Sequence, residues 1–325
     1  MKNFDKTPKE VNPKYWGQNF RPETTGIGIE LELEGLRLPH AAPGVWVVHE
    51  DNSLRNGVEY VTNGPIAVKD VQARCRELFK FLAEAEAKIN LSFRCSTHFH
   101  LNVQAMTFQN IMGCFVVYTI IEPLLMRIHG PNRDGNHFCL PAYCTGDLSD
   151  FARNYISQIS RGRFGAMGRG KYSALNFDPV QILGSIEFRS FPGSEEPEEI
   201  AKWAEWIDNI REAAVACKDE TYFEFIESAQ ANPIGFAQTI FTRQPGLLVP
   251  DLLVLLDKGC EHAYDVCSVF QSKIKKPETK DQAEFTPEEG EWLPQEDQLR
   301  HIRQAEFHAA RQFAAAPVPR PRRAE

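Results

Sequence analysis

The sequence lacks the signals that mark several specialised classes of protein. Its eight cysteines form no C-x-x-C pair, so neither a zinc knuckle nor a thioredoxin motif is indicated. Residues 1–25 contain no apolar stretch of the kind found in a secretory leader. The most apolar run, Cys114–Met126, is broken by Glu122 and Pro123 and is shorter than the ~20 residues that span a bilayer. We therefore expect a cytoplasmic protein with free thiols and no membrane partner, in which this run is a buried helix.

An excess of positive charge is also lacking. The 325 residues include 36 Lys and Arg against 44 Asp and Glu, giving a formal net charge of −8. This balance argues against bulk electrostatic capture of nucleic acid, although a local basic patch could still bind it. Apolar residues make up 42% and charged residues 25% of the chain, which is typical of a folded globular protein and excludes disorder throughout.

Composition divides the chain into three parts. Residues 1–25 are polar and without period, which predicts a flexible N-terminal arm. Residues 26–268 have the patterning of one compact domain with a helical C-terminal part. Residues 269–325 are charged and then rich in proline and arginine, which predicts a linker, a short helix and a disordered basic tail.

Several segments of the compact domain alternate between apolar and polar residues, as half-buried strands do. The clearest are 26–35, 57–62, 93–103 and 184–191. Apolar residues at three- and four-residue steps between Val68 and Ile89 predict an amphipathic helix, and Thr107 is placed to cap a helix over 108–129. Strands with one polar face favour an α+β fold whose mainly antiparallel sheet is packed by helices on one face.

The polar faces of these strands concentrate carboxylates and imidazoles. Glu30 and Glu32 lie two residues apart, so they project about 7 Å apart from the same face of one strand. Their repulsion is relieved either by solvent or by a divalent cation, and Mg²⁺ or Mn²⁺ prefers oxygen ligands. Arg94, Ser96, His98, His100 and Asn102 share a face of a second strand, where the imidazoles can bind a metal or phosphate or lie partly exposed.

A third strand carries Glu187 and Arg189 on one face. They can form a plain ion pair, or a metal ligand beside a cation that neutralises phosphoryl oxygens. Glu59 occupies the polar face of a fourth strand. Because these strands share the same alternation, we expect their acids, histidines and arginine, with Glu59 among them, to converge on one concave surface.

Residues 161–172 form a basic, glycine-rich segment, RGRFGAMGRGKY. Gly165-x-x-x-x-Gly170-Lys171 approaches a P-loop, but Tyr172 stands where the motif needs Ser or Thr, and the following residues are typical of a strand rather than a helix. A P-loop NTPase is therefore not indicated. The segment is either a basic loop that closes over phosphates, with Arg169 and Lys171 as binding residues, or a solvated surface loop.

Five motifs in order resemble the amidoligase family of the carboxylate–amine ligase superfamily, to which glutamine synthetase and glutamate–cysteine ligase belong. They are Gly28–Glu32 (GIELE), Gly57–Glu59 (GVE), Thr97–His100 (THFH), Lys171-Tyr172-x-x-Leu175-Asn176 and Ile186–Arg189 (IEFR). The match in order and spacing extends over about residues 26–195. Many members of this family are encoded by phages or in bacterial gene clusters, so a host cytoplasm is one expected location.

The resemblance implies a glutamine-synthetase-like catalytic domain that binds ATP with Mg²⁺ or Mn²⁺. Glu30, Glu187 and His98 would hold the metal on the nucleotide side, and Glu32 and Glu59 the metal nearer the acceptor. His100 would approach a phosphate and Arg189 would stabilise the transferring phosphoryl group. Lys171 and Asn176 match a motif of the family without individual roles.

The function implied is ATP-dependent ligation of a carboxylate to an amine through an acyl phosphate. The carboxylate and amine could belong to small molecules, peptides or proteins, and the sequence gives no oligomeric state. Two alternatives remain at this point: a metal-dependent hydrolase or cupin-like enzyme built on His98 and His100, and a non-catalytic protein that binds nucleic acid through its basic segments.

Overall fold

The computed structural model describes residues 2–16, 20–21, 25–144, 148–163, 172–217, 222–242 and 251–271. The strands in these ranges are β1 (Ile27–Leu36), β2 (Trp46–His49), β3 (Gly57–Thr62), β4 (Lys88–Ile89), β5 (Ser96–Asn102), β6 (Leu175–Asn176) and β7 (Ser185–Pro192). The helices are α1 (Pro8–Val11), α2 (Val71–Glu84), α3 (Phe108–His129), α4 (Leu148–Ser160), α5 (Asp178–Ile182), α6 (Pro197–Ala216), α7 (Tyr222–Ala231), α8 (Pro233–Ile240) and α9 (Leu252–Gln271).

The strands form one sheet with the order β2-β3-β1-β5-β7-β6, and β4 pairs with the end of β1. Every ladder between these strands is antiparallel. The α+β class and the mainly antiparallel sheet predicted from the alternating segments are therefore confirmed. Because side chains alternate between faces, β1, β3, β5 and β7 all turn their polar residues to the same side.

Helices pack against the apolar face of this sheet. Tyr118 of α3 meets Phe188 of β7 edge-on, with ring centroids 5.6 Å apart. Trp203 of α6 lies 5.4 Å from Phe191 at the end of the same strand. The candidate site lies on the opposite, polar face of the central strands.

Helix α3 is the buried helix predicted from the apolar run. It begins after Thr107, whose side chain accepts a hydrogen bond from the amide of Asn110, as the sequence predicted. It is long and apolar enough to cross a membrane by length and composition, but 89% of its most apolar window is buried inside the protein. Its apolar character on all sides matches a helix enclosed by its neighbours.

The described part of the predicted flexible arm is anchored to the domain. Phe4 is only 2% exposed and packs edge-on against Tyr155 of α4. The indole of Trp16 donates a hydrogen bond to the carbonyl of Val180 at 2.6 Å. A few aromatic residues within a polar segment are enough for this anchoring, in contrast to the loose attachment predicted from composition. Residues 272–325, which include most of the predicted linker, helix and tail, lie outside the described residues.

Candidate active site

A row of carboxylates and imidazoles crosses the polar face of the three central strands. Glu30 of β1 lies directly opposite His98 of β5, and His100 of β5 lies directly opposite Glu187 of β7. This register follows from the period-two patterns of the strands, since each functional residue sits at an alternate position. Four of the predicted site residues are therefore cross-strand neighbours.

Glu30 is the centre of the row. One of its carboxylate oxygens lies 2.6 Å from Nδ1 of His98, and the other lies 3.4 Å from Nε2 of His100. Nδ1 of His98 is also 3.6 Å from a carboxylate oxygen of Glu187. Both imidazoles and two of the acids thus meet at one point of the sheet.

The row continues along β1 toward Glu32. Ser96 donates a hydrogen bond from its hydroxyl to Glu32 and lies 2.8 Å from Nε2 of His98, so it links the two parts of the row. Glu59 of β3 is the direct cross-strand partner of Glu32. The structure therefore brings all five predicted metal ligands onto one continuous surface.

At the β7 side, Glu187 is held by two neighbours. The Arg189 guanidinium donates to one of its carboxylate oxygens, and the amide of Asn176 donates to the other at 2.7 Å. Burial opposes ionisation of Glu187, but the charge of Arg189 and of the two imidazoles outweighs it and lowers the pKa of this carboxyl. The side chain is therefore an oriented anion.

The acids of the row repel each other strongly. Burial, a hydrogen bond to Glu30 and repulsion by the neighbouring carboxylates raise the pKa of Glu59 to about 10. Burial likewise raises the pKa of Glu32. For Glu30, burial is outweighed by His98 and by hydrogen bonds from both imidazoles, which hold its pKa well below the usual value. The row is thus short of positive charge.

The donor set fits hard divalent cations. Three overlapping groups have ligand atoms within 4.8 Å of one another: Glu30, Glu32 and His98; Glu30, His100 and Glu187; and Glu32, Asp51 and Glu59. Carboxylate oxygens predominate, with one imidazole in each of the first two groups, which suits Mg²⁺ or Mn²⁺. A bound cation would also offset the repulsion of Glu59 by Glu30, Glu32 and Asp51, and so favour the ionised form of Glu59.

A pocket of about 630 Å³ adjoins one end of the row. Glu30 and His100 form part of its wall, and Gly28, Leu183 and Ser185 continue the wall away from the acids. Gly28 leaves this wall open, because a Cβ at that position would approach the Cβ of His100 to 3.2 Å. The pocket has the size of sites that bind drug-sized or cofactor-sized molecules.

The chain matches a known protein family. The model of a family described as "putative amidoligase enzyme" matches residues 48–211, which is half of the chain. The chain belongs to this amidoligase family. No curated protein matches the chain. The family resemblance predicted from the five motifs is therefore confirmed, and it supports a ligase in general terms.

The predicted site residues within the family match include Glu59, His98, His100, Asn176, Glu187 and Arg189. The match begins at residue 48, after the end of β1, so Glu30 and Glu32 lie before it. These two acids join the site through the pairing of β1 with β3 and β5. The roles of all these residues remain predictions.

The two binding residues predicted in the basic segment stay predictions. Arg169 and Lys171 belong to segment 164–171, which lies outside the described residues. The third acid of β1, Glu34, is described but is used differently, since its carboxylate accepts the amide of Arg55 at 2.6 Å. It helps to fix the loop between β2 and β3.

Asp51 was missed by the sequence analysis. It lies in the β2–β3 connection, where no strand period marks it, and reaches Glu32 and Glu59 because β2 pairs with β3. Its position as an acidic residue in a short connection between two strands was the one sequence feature that could have suggested a role in the site.

Arg133 was missed as well. It is 1% exposed and donates hydrogen bonds to the carbonyls of Arg189 and Ser190, so it holds the backbone that carries Arg189. No period or motif distinguishes it from a surface arginine, because it lies in the irregular connection between α3 and α4.

Proposed function

We propose that this amidoligase is an ATP-dependent carboxylate–amine ligase. A carboxylate oxygen of one substrate attacks the γ-phosphorus of ATP, which forms an acyl phosphate and releases ADP. The amine of the second substrate then attacks the acyl carbon, loses a proton and expels phosphate, which leaves an amide. The observation that carries this proposal is the row itself: acids and imidazoles from several strands converge beside a pocket of nucleotide size in a chain of this family.

The metal ligands fall into two sets. Glu30, His98 and Glu187, which meet at Nδ1 of His98, would hold the ion on the nucleotide side. Glu32 and Glu59 would hold the ion nearer the acceptor. Asp51 would join the second set, because its carboxylate lies within 4.8 Å of ligand atoms of Glu32 and Glu59. Mg²⁺ or Mn²⁺ bound there would cancel charge on phosphate oxygens.

The cationic residues suit phosphoryl transfer. Arg189 keeps Glu187 oriented, while its Nε is buried without an acceptor among the described residues, so this guanidinium has a donor to offer an anionic oxygen. His100 lies beside Glu30 in the wall of the pocket, where it can contact a phosphate. Arg169 and Lys171 would add cationic groups from the basic segment. Asn176 acts on Glu187, because its amide fixes that carboxylate.

The pocket beside Glu30 and His100 is the proposed place of the nucleoside. Val61, Pro65 and Leu183 provide apolar surface, which suits a base and sugar. Since the pocket ends at the row, a nucleotide bound there would direct its phosphates toward the metal ligands. The glutamine-synthetase-like arrangement implied by the family resemblance has the same order of nucleotide, metals and acceptor.

The test is ADP release with Mg²⁺ and ATP across a panel of carboxylates and amines. For Glu30→Ala we expect a loss of at least ~10³-fold, because the variant removes the central anion of the row. Its melting temperature should remain close to that of the wild type. The control is Glu84→Ala on the exposed face of α2, which should turn over normally.

Wild-type turnover by Glu30→Ala would contradict the ligand assignment. Absence of ADP release and of any Mg²⁺-ATP binding by the wild type would contradict the ligase itself. A metal-dependent hydrolase on His98 and His100 would instead act without ATP, so the same assay separates the two.

A further inference from the structure

The guanidinium of Arg94 lies at the end of the row that is opposite the nucleotide-sized pocket. Its Nη1 donates to the carbonyl of Ser53 at 2.8 Å. Ser53 in turn donates its amide to the carboxylate of Asp51 at 2.7 Å, and Asp51 belongs to the ligand group of Glu32 and Glu59. Arg94 is therefore tied to the loop that delivers the last acid of the row.

Two phenyl rings flank this guanidinium. Its central carbon lies 5.6 Å from the ring centroid of Phe93 and 5.5 Å from that of Phe138. Phe138 comes from the connection after α3, which is fastened here because the amide of Asn136 donates to the carbonyl of Phe93 at 3.0 Å. Rings in such positions restrain the plane of a guanidinium and favour its charge.

The aromatic surface extends to solvent. Phe93 is 48% exposed, and Tyr172, whose ring centroid lies 6.1 Å from that of Phe138, is 44% exposed. Exposed aromatic side chains beside a charged group are typical of recognition surfaces, because they offer apolar contact area with little loss of conformational freedom. The surface around Arg94 therefore offers both apolar contact area and a positive charge.

Arg94 has no acidic partner in the part of the chain that the structure describes. No ion pair among the described residues includes Arg94, although several carboxylates lie in the neighbouring row. Its Nε is buried and finds no acceptor among the described residues. An arginine fork matches the two oxygens of a carboxylate, so a carboxylate supplied from outside would suit this guanidinium.

We propose that Arg94 anchors a carboxylate of the acceptor substrate, while Phe93 and Phe138 contact an apolar or aromatic portion of the same molecule. The proposal rests on the proposed function, because it takes the pocket at the other end of the row for the nucleotide. The acceptor and the nucleotide would then face each other across the metal ligands. The expected acceptor class is an acid with an apolar carbon skeleton, such as an aryl-substituted carboxylic acid.

The test is an NMR titration of the protein with 3-phenylpropionate, in the absence of ATP and divalent ions. The uncharged amide of the same acid is the matched probe. Leaving out the metal prevents the carboxylate from binding by coordination. We expect the wild type to bind the acid and not the amide. Arg94→Gln should weaken binding of the acid at least ~30-fold, a loss of the size seen when a hydrogen bond to a charged group is removed.

Arg94→Lys keeps a cation that can still donate to Ser53, so it serves as the variant that preserves the loop. It should nevertheless lose about 10-fold in affinity, because an ammonium cannot form the paired hydrogen bonds of the fork. Arg127→Gln, which removes an exposed ion pair with Asp251 on the helical side, should bind like the wild type.

Equal binding of 3-phenylpropionate by the wild type and Arg94→Gln would overturn the proposal, as would the absence of binding to the wild type. Mg²⁺-ATP binding by the same proteins is measured separately. If ATP fails to bind while binding of the acid depends on Arg94, the proposed ligase function is refuted and the carboxylate site is supported. If ATP binds and Arg94→Gln retains full affinity for the acid, the carboxylate site is refuted and the proposed ligase function is unaffected.

Discussion

Glu122 is a buried ionisable residue that lies outside the row of carboxylates and imidazoles. It lies within α3, is fully buried, and its carboxylate accepts a hydrogen bond from the amide of Ala142 at 2.7 Å. Burial raises the pKa of this carboxyl to about 7. The folded protein therefore binds a proton at Glu122 more tightly than the unfolded chain does, whose ordinary carboxyl value is 4.5.

This difference predicts a pH dependence of stability. The stabilisation from protonated Glu122 is fully present below pH 4.5 and is lost as the pH rises through about 7. Glu122→Gln keeps an oxygen that can accept the Ala142 amide but cannot ionise. At pH 8.5 we expect the variant to exceed the wild type by up to about 3 kcal/mol in the free energy of unfolding, measured with urea.

At pH 4.5 the two proteins should differ much less. Glu84→Gln on the exposed face of α2 is the control, and its stability should follow the wild type at both pH values. A parallel decline of the wild type and Glu122→Gln between these pH values would show that another group carries the dependence.

Which residues of the row could be predicted depends on where they lie. Glu30, His98 and Glu187 stand at alternate positions of strands, and a period of two fixes their face before any partner is known. Asp51 and Arg133 lie in connections, where the backbone has no period and the side-chain direction is decided by distant contacts. Arg94 was placed on the polar face, but its aromatic neighbour Phe138 comes from a segment 44 residues away.

At the scale of elements, close approach of helices fixes the position of α3. Gly259 of α9 lies so near α3 that a Cβ at this position would come within 1.9 Å of the carbonyl oxygen of Ile120. Gly113 of α3 allows a similar approach to α6, with a Cβ reaching 2.7 Å from the carbonyl oxygen of Ala214. Since these contacts are with backbone atoms, a side chain cannot be accommodated by a change of rotamer.

Gly259→Ala should therefore destabilise the protein, although alanine has the higher helix propensity. The overlap forces α9 away from α3, and we expect a loss of at least about 2 kcal/mol in urea unfolding after the ~1 kcal/mol gain in propensity. Glu261→Ala on the exposed side of the same helix should change stability by less than ~0.5 kcal/mol. Unchanged stability of Gly259→Ala would mean that the helices pack less closely than described.

Elements with a strong period were predictable, and short ones were not. The pattern between Val68 and Ile89 predicted a helix; α2 occupies Val71–Glu84 of it, and Ile89 belongs instead to β4. Thr107 marked the start of α3, because caps and an apolar stripe are properties of the helix itself. Strand β2 carries no clear alternation and depends on its pairing with β3. Helix α1 is only four residues long, and the burial of Phe4 and Trp16 beside it depends on tertiary contacts that a polar composition conceals.

At the scale of the whole molecule, the buried core extends from Phe4 to Val269 among the described residues. The chain divides into two units, Met1–Ile274 and Lys275–Glu325, and the row, the pocket and the aromatic surface around Arg94 all belong to the first. Each interaction on which the two proposals depend is therefore made within the first unit.

This division predicts that a chain ending at Ile274 folds and binds Mg²⁺-ATP like the full chain. Its melting temperature should lie within about 3 °C of the full-length value, which for this size corresponds to roughly 1 kcal/mol. A chain ending at Thr242 is the matched contrast, because it lacks α9 and uncovers α3, whose apolar residues would then face water. We expect it to be insoluble or to melt without cooperativity. A stable, cooperative fold of the shorter chain would show that α9 is dispensable, and a large loss of stability in the chain ending at Ile274 would show that the second unit supports the first.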